Sequence, residues 1–295
     1  MTDTDIQTPT RTIRTRNREP RIGVVRQVWR PAASRRGTPH PAARAAATAL
    51  TRLWLPILLV ALWWVASASS TNLFIPPLSR IVAGVGEDFA SGELVAAMST
   101  SLVNLFVGFL IAAALGVVLG LAIGEIRWLR EVLDPFIHFL RSVPQTALVP
   151  LIIGTLGIGR EPKIYAVAFA CLWPILLNTI DGVRGVDPSV RRVSKVFGIP
   201  RSLYYRRVVL PGAMPQIVAG LRVALPIGIV VMVVSEFFAA NIGLGFYILE
   251  ASSTFKIPET WGGALLVGVI GYILVLLFAL FERRVLSWYF RSGAQ

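Results

Sequence analysis

The chain has 295 residues, 55% of them apolar, and a positive mean hydropathy, which is too apolar for an ordinary soluble domain. Its formal charge of +13, from 29 basic and 16 acidic residues, would suggest nucleic acid in a soluble protein; in a membrane protein it speaks first of topology, because cytoplasmic loops collect Lys and Arg. One cysteine, Cys171, excludes an internal disulfide and a cysteine metal cluster, and His40 and His138 have no partner at ligand spacing.

Residues 1–50 are rich in Arg, Thr, Ala and Pro without apolar periodicity, and read as a disordered cytoplasmic tail. Its arginines either help to fix orientation as a solvated segment or bind anionic lipid or nucleic acid; the solvated reading is preferred, and no nucleic-acid partner is expected. Ala66-Ser67-Ala68 mimics a signal cleavage site, but a polar leader this long fits a signal-anchor-like first span instead. A span needs ~20 mostly apolar residues. Six stretches are expected to qualify, at about 53–70, 99–123, 134–157, 164–182, 216–240 and 262–286. The loops at 71–98, 158–163 and 241–261 hold only Arg80, Arg160, Lys163 and Lys256 among the basic residues. The other polar segments hold nearly all the rest, so both termini and the 183–215 loop are expected on the cytoplasmic side.

The second span carries Gly116, Gly120 and Gly124, a groove for another helix of the same chain or of a second subunit. Pro135, Pro144 and Pro150 interrupt the third span, which also holds Arg141, Ser142 and Gln145. Charge and proline at membrane depth are tolerated where a helix is buried in protein or lines water. Arg141 therefore either lines a path with Ser142 and Gln145 or snorkels to the inner interface. In the fifth span, Glu236 is a carboxylate well inside the apolar run, serving either a paired structural role or the path, with Asn241 just beyond it.

Between the fourth and fifth spans lies a polar interruption, Asp187 to Pro215. Asp187 suits an N-cap and Pro188 the first helical position. Val190, Val193 and Phe197 form one apolar stripe, with Arg191, Arg192 and Lys195 off it. Gly198 stands where a left-handed residue is wanted and Pro200 forbids continuation. A second short helix, Arg201 to Val209, is expected to stop before Leu210-Pro211. Such a stripe faces either anionic lipid or a groove on a soluble partner.

Gly198, nine residues, then Val208, Val209, Leu210 and Pro211 resemble the "EAA" loop of bacterial ABC-importer permeases, although the triplet itself is Arg192, Val193 and Ser194. Arg141 to Leu151 with Gly157-Ile158-Gly159 resembles a run in the nitrate, sulfonate and taurine permeases, and Glu236 with Asn241 and Gly243-Leu244-Gly245 resembles a further family pattern. The resemblance implies an all-α integral membrane protein with six transmembrane helices, a type I (MetI-like) permease core over 99–290, and a coupling loop at 187–211. It implies that Val190, Arg192, Val193, Ser194, Phe197, Gly198, Pro200, Arg201, Leu210 and Pro211 couple to two cytoplasmic ATPase subunits, which bind ATP-Mg. A second permease subunit, identical or not, and an external solute-binding protein complete the assembly, in the inner membrane of a bacterium. The chain itself is expected to bind no cofactor or metal and to be non-catalytic; no G-x-x-x-x-G-K-[ST] loop is present. The solute is expected to be small and anionic. The alternatives are an ATP-independent secondary transporter or channel, and a membrane-anchored protein acting through its tail.

Overall fold

A computed structural model describes residues 41–292, and its regular structure is entirely helical among them. The chain divides at Pro56 into two units; the second, from Ile57 onward, holds the core and the clusters described below. The expected tail lies outside the described residues as far as residue 40, while 41–50 belong to the first helix. In chain order the helices are α1 Pro41–Ser67, α2 Leu78–Ser91, α3 Glu93–Glu125, α4 Arg127–Ser142, α5 Val149–Leu156 after a short 3-10 turn, and α6 Glu161–Arg184. They continue with α7 Pro188–Val196, α8 Arg201–Tyr204, a π turn Tyr205–Val209, α9 Leu210–Ala239, α10 Leu244–Ser253, α11 Ile257–Val285 and α12 Ser287–Ser292.

Among the described residues, four helical stretches are long and apolar enough to cross a bilayer: Glu93–Glu125, Glu161–Arg184, Arg201–Phe238 and Ile257–Val285. The bent pair α4 and Gln145–Leu156 brings the count to five, and the described apolar part of α1, Trp54–Ser67, is shorter than a full span.

The third span is not one rod. Pro144 has no N–H to donate and holds Val143 extended (φ −75°, ψ 127°), so the two halves meet at 83°. The inner face of α4 packs Leu129, Leu133, Ile137 and Leu140 against Ile123, Trp173, Leu176 and Ile180.

The core is a sandwich of α3, α6 and α9. Leu105, Phe109 and Ala112 of α3 meet Val167, Cys171 and Ile175 of α6 and Ala224, Leu225 and Ile229 of α9. The glycine groove of α3 receives α6. A Cβ placed on Gly120 would lie 2.5 Å from the Thr179 Cβ, and one on Gly124 would lie 2.8 Å from that of Val183. Without a hydrophobic drive between helices in lipid, such close approach supplies the dispersion contacts that hold them. Few residues of α11 are buried, and its apolar face is open along most of its length.

Candidate functional site

Two polar clusters stand at opposite ends of α3. At its C-terminal end sits α7. The Asp187 carboxylate caps it, accepting the Ser189 N–H and hydroxyl at 2.7 Å each. Those bonds, with the charge of Arg192, hold the Asp187 carboxyl below the usual carboxylate range. At the other end the Ile199 N–H donates to Ser194 O and the Gly198 N–H to Lys195 O, both at 3.1 Å. This double closure needs a left-handed residue, and Gly198 supplies it at φ +61°.

One side of α7 is anchored. Arg191 pairs with Glu125, the last residue of α3, at 3.2 Å, and donates to the Val183 carbonyl near the end of α6. Ser194 is buried, and its hydroxyl donates to Val190 O at 2.8 Å. The other side is bare: Val190, Val193, Val196 and Phe197 are 43%, 52%, 83% and 77% exposed. Arg192, Pro200 and Arg201 are also exposed.

The chain then does not stop before Leu210-Pro211. The Leu210 N–H reaches back to Tyr205 O, a five-residue step, so the π turn widens the ladder just where Pro211 lacks an N–H. Helix Arg201–Phe238 is therefore continuous from the polar loop into the apolar core. Val209, Ala213 and Ile217, with Leu210 beside them, lock its start onto Val183.

At the other end, Glu236 of α9 is fully buried. Its carboxylate accepts the Ser101 hydroxyl of α3 at 2.8 and 2.9 Å and the Gly245 N–H of α10 at 2.8 Å. Ser101 Oγ in turn accepts the Leu244 N–H at 2.8 Å. The carboxylate thus sits on the N-terminus of α10, where free N–H groups and the helix dipole favour it. Gly243, at φ +147°, lets it in: a Cβ there would lie 2.5 Å from Glu236 Cδ. The Glu236 and Gly243-Leu244-Gly245 pattern is therefore one knot that ties α3, α9 and α10. Nearby, the Tyr247 hydroxyl of α10 donates to the Asp88 carboxylate, and burial together with that negative charge raises the phenol above its ordinary pKa.

Arg141 and Ser142 are exposed and Gln145 is half-buried at the elbow of the broken span; the Ser142 hydroxyl donates to His138 O at 2.8 Å. Asn241 lines a cavity beside the start of α6. Sequence patterns did not single out Ser101, Glu125 or Val196. Ser101 and Glu125 acquire meaning only through contacts 135 and 66 residues away, whereas the exposure of Val196 shows that the bare apolar face is wider than a strict stripe.

Residues 112–287 match the family described as "Binding-protein-dependent transport system inner membrane component". The taurine transport system permease protein TauC of Escherichia coli (strain K12) is 30% identical over 80% of this chain and 88% of its own length. The nitrate import permease protein NrtB of Synechocystis sp. is 31% identical over 63% of this chain and 67% of its own. A solved structure of the MetNI methionine ABC transporter shares the fold with a TM-score of 0.56 at 17% identity, covering 65% of this chain and 95% of that one.

Proposed function

The chain belongs to the inner-membrane components of binding-protein-dependent transport systems, and from that premise we propose that α7 is the seat of a cytoplasmic ATPase and that the cargo is a small anion. One observation carries the coupling role. A bare apolar face is mounted on a helix whose opposite side is pinned by Arg191 to the ends of both α3 and α6. A force applied to α7 reaches two core helices without passing through flexible chain, and continuous helix Arg201–Phe238 supplies a third connection.

In this account Val190, Val193, Val196 and Phe197 fill a groove on the ATPase, with Arg192, Ser194, Gly198, Pro200, Arg201, Leu210 and Pro211 holding the shape of the loop. ATP-Mg is bound and hydrolysed by that partner, in two copies, while this chain remains non-catalytic and pairs with a second permease subunit. The partner drives the change only if it binds the two conformations unequally. The termini face the cytoplasm of a bacterium. Arg141, Ser142 and Gln145 at the elbow, with Asn241, line the path. Glu236, sealed by four bonds in its knot, serves it by holding the outer ends of α3, α9 and α10 in register.

Nitrate and the sulfonate of taurine, the cargoes in the names of the two relatives, are both oxyanions, and the cationic Arg141 suits such a solute. The test is to purify the tagged complex and reconstitute it with its binding protein. A co-purified P-loop ATPase and ATP-dependent uptake of labelled taurine or nitrate are expected. A complex that lacks an ATPase, or uptake that continues without ATP, would refute the coupling role; ATP-driven uptake of neutral or cationic solutes alone would refute the anion.

A further inference from the structure

At the end of the bundle away from α7, a cavity of about 480 Å³ opens between α3, the start of α6 and the turn after α9. Asn104 on its wall is 21 residues from Glu125, roughly 30 Å along a helix rising 1.5 Å per residue. Two cations line it, Arg160 and Lys163, together with Thr100, Asn104 and Asn241; no carboxylate is among the described lining residues. Glu161 stands by the rim, its Oε2 2.9 Å from where a Cβ on Gly159 would be.

The polar groups are built in rather than hung on the surface. Asn104 is fully buried and Lys163 is 6% exposed. Arg160 Nε donates to Asn104 Oδ1 at 2.8 Å, which orients the amide and leaves its buried Nδ2 facing the Glu236 carboxylate. Glu236 lies behind, its charge acting on Lys163 and its carboxylate facing the Asn104 amide. It forms no ion pair with Lys163, however, and its oxygens are already engaged by Ser101 and Gly245. A buried ammonium without an ion pair is costly to keep. That cost falls if an anion enters. The volume is in the range of small-molecule sites, and a forked guanidinium with a point-charge ammonium suits an oxyanion.

We propose that this cavity is an acceptor site for a small singly charged oxyanion, a sulfonate or nitrate group, at the outer end of the subunit. Its place in transport rests on the permease reading above; its occupancy by anions does not. Arg160, held in place by Asn104, binds the oxygens, Lys163 supplies charge from below, and Thr100 and Asn241 form the rim.

The test uses the complete complex in proteoliposomes, carrying Thr100→Cys against the buried native Cys171. Modification is timed with a sulfonate-bearing and a trimethylammonium-bearing methanethiosulfonate. A cationic cavity should favour the anionic reagent, and Arg160→Gln should lower that preference about tenfold. Millimolar nitrate or methanesulfonate should slow modification saturably in the parent and not in Arg160→Gln. If Arg160→Gln does not assemble, Asn241→Asp places a negative charge at the rim without touching the Arg160–Asn104 bond and should erase the same preference. Equal reactivity toward both reagents, or no protection by either anion, would overturn the site, and would do so alone where the same vesicles still show ATP-driven uptake. Saturable protection in a complex without an ATPase would uphold the site and remove the permease coupling instead.

Discussion

Replacing Gly198 tests the docking role proposed for α7 through a single dihedral. The residue sits at φ +61°, and no atom lies within 4 Å of the position where a Cβ would be. A side chain there therefore meets no clash, and the whole penalty is conformational. For an L-residue other than Asn or Asp, that penalty is about 1–2 kcal/mol. It corresponds to a fall of roughly 5- to 30-fold in the closed C-terminal turn relative to open forms. The two bonds from Ile199 and Gly198 would then be made only part of the time, and Phe197 would leave its position. The series Gly198→Asn, →Ala and →Leu should lower taurine or nitrate uptake per ATP hydrolysed in that order, with Asn nearest to the parent. Membrane yield should stay level across the series, because the site is open. Uptake per ATP that is unchanged in Gly198→Leu, or lower for Asn than for Ala, would refute the reasoning.

The same logic extends to three other places. Arg191→Ala should loosen α7 by about 1 kcal/mol, since its pair with Glu125 is only partly buried, and should speed hydrogen exchange in α7 more than in α3. Glu236→Ala strands the buried Ser101 hydroxyl and Gly245 N–H and should cost about 1–3 kcal/mol per orphaned group, read as a lower unfolding midpoint in detergent, with Glu236→Gln milder. The Asp187 carboxyl is held below its ordinary pKa, so its cap is fully present above the unfolded value and is lost only as pH falls through the lower folded value. Exchange protection of the Ser189 amide should thus stay level from neutral pH through the ordinary carboxylate range and drop only in stronger acid, whereas Asp187→Ala should lack protection at every pH.

Local chemistry was the part of the molecule most legible in the sequence. An Asp-Pro start, a left-handed glycine and a proline stop bound α7 because each acts on its own backbone neighbours. Apolar run length is a local signal for the same reason, and four of the six expected stretches overlap long apolar helices among the described residues. What escaped were effects that depend on convergence in space. Proline at 144 announces a break but not an 83° elbow, which is set by the packing of α4 on α3 and α6. Leu210-Pro211 reads as a stop until a π turn shifts the hydrogen-bond ladder past the missing donor. Arg160 and Lys163 read as a minor exception to a loop-charge tally. Only the meeting of α3, α6 and the turn after α9 places them in one cavity.

The most direct test of the central claim is cysteine cross-linking from α7 in the assembled transporter. Phe197→Cys, 77% exposed in the subunit alone, should cross-link to the co-purified ATPase, and the link should stop ATP-driven uptake until it is reduced. If Phe197→Cys in the complete, active complex instead remains open to a membrane-impermeant thiol reagent added outside the cell, and never links to an ATPase, α7 is not where the motor holds the gate.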